Sequence, residues 1–245
     1  MIKMSFSMPT LTGRNFILAP FREGDVSKQY QDWLMDPEVT RFLDVRNADR
    51  SMEALRAYAR EKEAASTEYF FLITAKDSGK KVGTIKLSVN ADVNVAYFGY
   101  LIGDKSYWGG SAARQIQAIL FDFAFLELKT HHLMGGVYAS NTASHFNSRR
   151  MGFRKEAVLR NSMIYDSANP TDIVLYGMLR EEWETQKIIF DNLKSQPPRT
   201  QNDKKKNSQL IVDTENLTPM EAVGIIIEHF QQTGWSRQAL DKTEG

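Results

Sequence analysis

Hydrophobic and polar positions change period several times along this chain, and each change marks an element. Residues 14–20 read as a strand entering a loop. Asp25 is placed to cap a helix through Trp33, and Asp36-Pro37-Glu38 ends it, because proline disfavours helix at the residue before it. Ser51 starts a second helix, to about Ala65, with Met52, Leu55, Tyr58 and Ala59 at helical spacing. The period then falls to two. Residues 69–75, 81–89 and 95–103 are strand-like, and the short turns Asp77-Ser78-Gly79-Lys80 and Asn90-Ala91-Asp92 make them antiparallel neighbours. A strongly apolar helix follows over 115–128, with Ile116, Ile119, Leu120, Phe123 and Leu126 on or near one face. Residues 133–139 have a buried-strand pattern; because a helix separates them from 95–103, these two strands are expected to lie parallel. A short helix over 141–151 is stopped by Gly152, strands cover 154–165 and 171–179, and a helix over 181–193 closes the domain. The expected class is α/β of the α+β kind, a mixed, mostly antiparallel central sheet flanked by helices.

Beyond this the composition shifts. Residues 195–207 contain two prolines, Arg199 and Lys204-Lys205-Lys206, with no large apolar side chain. That is linker chemistry. At Leu217-Thr218-Pro219-Met220-Glu221 a helix start is legible: Thr218 as cap, Pro219 at the first helical position, Glu221 three residues after the cap. The expected organisation is a domain over 1–193, a polar basic linker over 194–216 and a C-terminal amphipathic helical segment over 217–245. Residues 222–230 are too apolar to stay isolated in water. They should dock on their own domain, on a second copy as a homodimer, or on a protein partner.

Composition narrows the classes of function. The 245 residues carry a formal net charge of +1, so no global basic field argues for nucleic acid. The cysteine count is zero, which excludes disulfides, thiolate zinc sites and a cysteine nucleophile; no metal is expected. No apolar stretch approaches the ~18–20 residues of a membrane span, and residues 1–9 lack a signal-peptide core. The expectation is a cytoplasmic protein.

The stretch with the most chemistry is Tyr107-Trp108-Gly109-Gly110-Ser111-Ala112-Ala113-Arg114-Gln115. It follows a strand and opens a helix. The first backbone N–H groups of a helix have no intrahelical partner and carry the positive end of its dipole. Small residues let a pyrophosphate approach those amides closely. Strand, small-residue turn and helix together make an anion site.

Several ordered pieces, spread over most of residues 11–184, carry a family resemblance. They are Leu11-Thr12-Gly13-Arg14 with Leu18-Ala19-Pro20-Phe21, Trp33 followed by Asp36-Pro37-Glu38-Val39, and Gly83-Thr84-Ile85. Further on come Gly99-Tyr100-Leu101-Ile102-Gly103 before Tyr107-Trp108-Gly109, Asn141 with Ser144, Met151-Gly152-Phe153-Arg154-Lys155-Glu156, Leu159-Arg160 and Glu182-Trp183. The chain resembles the GNAT acetyltransferases, and within them the branch of the ribosomal-protein N-terminal acetyltransferases. The resemblance implies acetyl-CoA as cosubstrate. Its pyrophosphate would lie on the amides of Trp108, Gly109, Gly110, Ser111, Ala112 and Ala113. Its pantetheine would pair like an added strand with Leu101, Ile102 and Gly103. The thioester would then point between that strand and the next.

The chain departs from the family pattern in two places. The second turn glycine is Ser111, and the usual Thr-Glu opening of the helix is Arg114-Gln115. If that position requires φ > 0, serine carries strain. Arg114 either adds a contact to phosphate or is solvated on the helix surface. The second departure is on the strand itself: many relatives carry a glutamate where this chain has Tyr97-Phe98, and no acidic residue lies between Val93 and Gly103. The general base is therefore open among Asp104, His131, His132, His145, a water chain, or an amine that arrives neutral. Asn141 either orients pantetheine or substrate, or simply caps its helix with Ser144 on the first turn. Phe21, Trp33 and Phe42 lie where this fold builds the acceptor wall, with core packing as the alternative.

Two classes of function follow. One is an acetyl-CoA-dependent N-acetyltransferase acting by direct attack in a ternary complex on a primary amine, either of a small molecule such as an amino sugar or of a protein N-terminus. The other is a non-catalytic acyl-CoA-binding or protein-interaction module on the same scaffold.

Overall fold

Alternating runs and short turns assemble into one eight-stranded sheet in the computed structural model, which describes residues 8–44, 48–166 and 169–195. The strands are β1 (Leu11–Thr12), β2 (Phe16–Pro20), β3 (Glu68–Ala75), β4 (Lys81–Asn90), β5 (Val95–Ile102), β6 (His132–Tyr138), β7 (Arg154–Asp166) and β8 (Asn169–Leu179). Their order is β1-β2-β3-β4-β5-β6-β8-β7, and every neighbouring pair is antiparallel except β5 with β6. The helices are α1 (Lys28–Met35), α2 (Met52–Ala64), α3 (Ala112–Asp122), α4 (Thr142–Arg150) and α5 (Arg180–Ser195). The expected linker beyond Ser195 and the C-terminal helix lie outside the described residues, as does most of the N-terminal stretch 1–9. No helix among the described residues is long and apolar enough to cross a membrane.

The sheet is covered on both faces. On one side α3 and α5 bury Ile116, Leu120, Phe121, Phe125, Trp183 and Phe190 against Phe71, Ile85 and Leu87, with Phe125 stacked on Trp183 at 5.2 Å. On the other, α1 and α2 bury Tyr30, Trp33, Leu34, Leu55 and Ala59 against Phe70, Leu72 and Leu101. Even and odd positions of β5 therefore serve opposite layers: Ala96 and Ile102 face α3, and Leu101 faces α1 and α2.

Three expectations are corrected locally. Ser27, not Asp25, caps α1, accepting from the Tyr30 N–H at 3.3 Å. Asp25 closes a preceding 3-10 turn by accepting from the Arg22 N–H at 2.9 Å, so its carboxylate is already committed. α3 starts at Ala112 rather than near Gln115, and continues as one π-helical turn, Phe123–Glu127. That wide turn keeps Phe123 and Phe125 both buried. α5 extends through Ser195, where Lys194 is paired with Asp122 and Asp191.

Candidate active site

The parallel pair at the centre of the sheet is short. Val95, Ala96 and Tyr97 pair with His132, Leu133 and Met134, and from Phe98 onward β5 and β6 share no register. β6 goes on to pair with β8 up to Tyr138, and β5 goes on to pair with β4 up to Ile102. The edge of β5 turned away from β4 is thus left without a strand partner over its last residues. Two aromatic rings hold the strands apart. An added Cβ at Gly135 would lie 2.9 Å from the Phe98 ring, and one at Gly136 only 2.4 Å from the Tyr97 hydroxyl. Phe98 fills the α3 side, packed on Phe121 and Phe153 at 5.1 and 5.5 Å, while Tyr97 crosses the opposite face. The paired glycines of β6 leave room for both rings.

The last residues of β5 are clamped from three directions. The N–H groups of Gly103 and Asp104 both donate to the Val82 carbonyl, at 2.9 and 3.0 Å. Trp108 Nε1 donates to the Ile102 carbonyl at 2.7 Å. The Trp33 indole lies so close on Gly103 that an added Cβ would fall 2.1 Å from it. Trp33 thus underlies the end of the strand. Asp104 is occupied as the cap of a 3-10 turn, Lys105–Tyr107, accepting from the Ser106 N–H and hydroxyl at 2.9 and 2.7 Å. Lys105 ties this turn to the exit of α1 through Asp36 at 2.8 Å and Glu38 at 2.5 Å. Its hydrogen bond holds the Asp36 carboxyl below the usual carboxylate range.

Within the small-residue turn the left-handed conformation falls on Gly109, with φ +66°. Ser111 has φ −96° and ψ −5°, an ordinary right-handed geometry, so the conditional concern about strain there does not arise. Its side chain is buried and accepts from Gln115 Nε2 at 3.2 Å, and Gln115 Oε1 accepts from Asn15 at 2.9 Å. The hydroxyl does not cap α3. The first-turn amides of α3, from Ala112 and Ala113, therefore carry no side-chain cap at the N-terminus of an eleven-residue helix. This arrangement fits a phosphate-bearing group.

Behind β5, the Tyr100 hydroxyl hydrogen-bonds with Ser144, Gln117 and Asn147, with Arg114 adding its charge nearby. Burial pushes this phenol up, so it stays protonated. Asn147 Nδ2 donates to Gln117 Oε1 at 3.2 Å, tying α4 to α3. Asn141 Oδ1 accepts from the Ser144 N–H at 3.1 Å and caps α4.

On the opposite face the structure brings Phe42 near two residues that the sequence did not single out, Asp44 and Tyr138. Tyr138, at the end of β6, donates its hydroxyl to Asp44 Oδ1 at 2.5 Å. Phe42 lies 6.2 Å from the Tyr138 ring, and the Asp44 charge reaches Tyr97. Asp44 comes from the irregular segment between α1 and α2, where no periodic pattern marks it. The one signal present was the glycine pair Gly135-Gly136 opposite Tyr97-Phe98. Phe21 is a core residue, 2% exposed between Tyr30 and Phe70. The histidines have other partners. His132 Nε2 meets Glu156 at 2.8 Å, at the paired end of β6. His145 Nε2 donates to the Ala139 carbonyl at 3.1 Å, and its Nδ1 shares a hydrogen bond with the Tyr176 hydroxyl at 3.0 Å. His131 continues the backbone at the start of β6, its N–H donating to the Asn94 carbonyl at 3.1 Å.

A free strand edge beside an uncapped helix N-terminus suits a ligand with an extended amide arm and a phosphate group. The chain belongs to the GNAT acetyltransferase family, whose acetyltransferase domain it matches over residues 15–154. It is 29% identical over 151 residues to an uncharacterized N-acetyltransferase of Bacillus subtilis, YokL, derived from the SPbeta prophage, covering 61% of this chain and 83% of that one. Among solved structures it is similar to a GCN5-related N-acetyltransferase from Brucella melitensis, with a TM-score of 0.66 at 19% identity over 77% of this chain and 86% of that one. It is also similar to Mycobacterium smegmatis RimJ, solved in complex with CoA-disulfide, with a TM-score of 0.62 at 17% identity over 74% of this chain and 95% of that one. The chain is an acetyltransferase of a family that uses acetyl-CoA. The finer likeness to the ribosomal-protein branch is not carried by these matches.

Proposed function

We propose that this chain moves the acetyl group of acetyl-CoA to the primary amine of a small molecule, amino sugars included, by direct attack in a ternary complex. The observation that carries the reading is the unpartnered edge of β5 running into the uncapped N-terminus of α3. Acetyl-CoA, when bound, supplies the activated acyl group. Leu101, Ile102 and Gly103 form the strand edge for its pantetheine arm, with the Ile102 N–H as donor, since the Ile102 carbonyl already accepts from Trp108 and the Gly103 N–H donates to Val82. The amides of Gly109, Gly110, Ser111, Ala112 and Ala113 offer donors to its phosphates, whereas the Trp108 N–H already donates to the Lys105 carbonyl at 3.1 Å. In this reading an N–H of the β5 edge stabilises the oxyanion. Tyr100 Oη holds a proton beside Ser144 on the α4 side, and Asn141 orients the start of α4. Trp33 and Phe42 stand on the acceptor side, with Phe21 packed in the core of that layer.

The aromatic group around a single carboxylate favours a small amine over a protein N-terminus, for which an open acidic groove would be expected. A thiol-release assay over amines and N-terminal peptides, with mass spectrometry of the products, tests this. Acetylation of a small amine is the expected result. Peptide acetylation alone would replace the acceptor, and no acetylation despite CoA binding would overturn the catalytic reading. Binding itself is read by thermal shift, where ligand at a hundredfold over Kd stabilises by about 2.7 kcal/mol.

A further inference from the structure

Asp44 stands where an incoming amine would need a charge partner. It comes from the segment between α1 and α2 and accepts from the Tyr138 hydroxyl of β6 at 2.5 Å. The Tyr138 side chain is buried, which fixes the direction in which its hydroxyl holds the carboxylate. Asp44 itself is exposed. A carboxylate has about four lone-pair sites, and one phenol uses one of them. Burial, with the Asp44 charge second, pushes the Tyr97 phenol up, so Tyr97 remains a neutral donor with 41% of its surface exposed. Glu156 of β7 is engaged by His132 at the start of β6.

The lining is aromatic. Tyr138 holds the carboxylate, Phe42 lies 6.2 Å from the Tyr138 ring and Tyr97 reaches across Gly136 of the same strand, and ring faces attract a cation within about 6 Å. Arg41 covers the Phe42 ring at 5.1 Å, so the neighbourhood already holds one cation. Next along β5 on the same face is Gly99, where an added Cβ would meet nothing within 4 Å. A short apolar stem has space there.

Resting on acetyl transfer across this splay, we propose that Asp44 with Phe42, Tyr97 and Tyr138 is the acceptor site, and that it takes a monocationic primary amine carried on an apolar stem. The ammonium donates to Asp44, and the stem lies against the rings toward Gly99. One carboxylate beside a resident arginine disfavours a polycation.

The test is calorimetric titration of CoA-loaded protein with phenethylamine, phenethyl alcohol and spermidine, using wild type and Asp44→Asn. Asparagine keeps an oxygen for the Tyr138 hydroxyl, and a thermal melt with a CoA titration checks that the fold and the cosubstrate site persist. The amine should bind wild type roughly 10- to 100-fold tighter than the alcohol, as expected for a charge-assisted hydrogen bond, and Asp44→Asn should erase that difference. Equal binding of amine and alcohol, no binding of either, or a preference that survives the substitution would overturn the assignment. Spermidine binding tighter than phenethylamine would overturn the apolar-stem class. These outcomes need no turnover, so they are distinct from a failure of acetyl transfer, which shows as no acetylated product.

Discussion

Adding one methyl group at Gly83 should open the sheet at the strand edge proposed for the cosubstrate. Gly83 pairs with Ile102 across β4 and β5. A Cβ there would lie 1.9 Å from the Leu101 carbonyl oxygen and 3.0 Å from Ile102 Cα. Both neighbours are backbone, so no rotamer change relieves the contact. Opening the gap from 1.9 Å to an ordinary 3.4 Å contact parts the strands by about 1.5 Å. The hydrogen bonds from Gly103 and Asp104 to the Val82 carbonyl, at 2.9 and 3.0 Å, would not survive that movement. Losing one or two of them at ~0.5–1.5 kcal/mol each, with overpacking of ~1–3 kcal/mol, puts the cost of Gly83→Ala at roughly 1.5–6 kcal/mol. For a chain of this size that lowers Tm by roughly 3–24 °C. CoA affinity should fall with it, because Leu101 to Gly103 is the displaced edge. Gly24→Ala is the control, since nothing lies within 4 Å of its added Cβ. Thermal melts and CoA titrations of both variants would decide. A Gly83→Ala melt equal to that of Gly24→Ala would refute the close approach and the clamp built on it.

The remaining predictions use the same two layers. Ser111→Gly should lose the hydrogen bond from Gln115 without relieving any strain, lowering stability by ~0.5–1.5 kcal/mol; a higher Tm would mean that serine is strained after all. Gly99→Val should raise the acceptor KM at least about tenfold, by ~1.4 kcal/mol or more, and leave CoA affinity unchanged; equal effects on both ligands would place Gly99 on the cosubstrate side. The phenols of Tyr30, Tyr69, Tyr97 and Tyr100 are all pushed up by burial. The unfolded chain ionises them near 10.0 while the folded chain keeps its protons, so stability is full below that pH and falls as pH rises through it. Denaturant melts followed above and below pH ~10 check this; a flat profile would contradict the burial of these side chains.

Much of this fold was legible because it is written in local chemistry. The antiparallel meander of β3, β4 and β5 follows from alternation and two short turns. The parallel β5–β6 pair follows from the helix between them. The small-residue turn pointed to an anion site before any fold was in view. The parts that were missed depend on partners distant in sequence. Asp25 looks like a cap until its carboxylate is found on Arg22. Ser111 looked strained only on the assumption that it, rather than Gly109, takes the left-handed turn. Phe21 has the composition of an acceptor wall and the burial of a core. Asp44 lies in a segment without periodicity, and its role follows only from Tyr138 and Tyr97 arriving beside it from two strands.

Amide hydrogen exchange with and without acetyl-CoA tests the central claim most directly. The unpartnered edge of β5 and the first turn of α3 should together hold the cosubstrate. Added protection is predicted at the Ile102 amide, since that of Gly103 already donates to the Val82 carbonyl, and at Gly109 through Ala113, with β1 and β2 unchanged. Protection confined to other strands, or none at these amides at saturating ligand, would contradict the account.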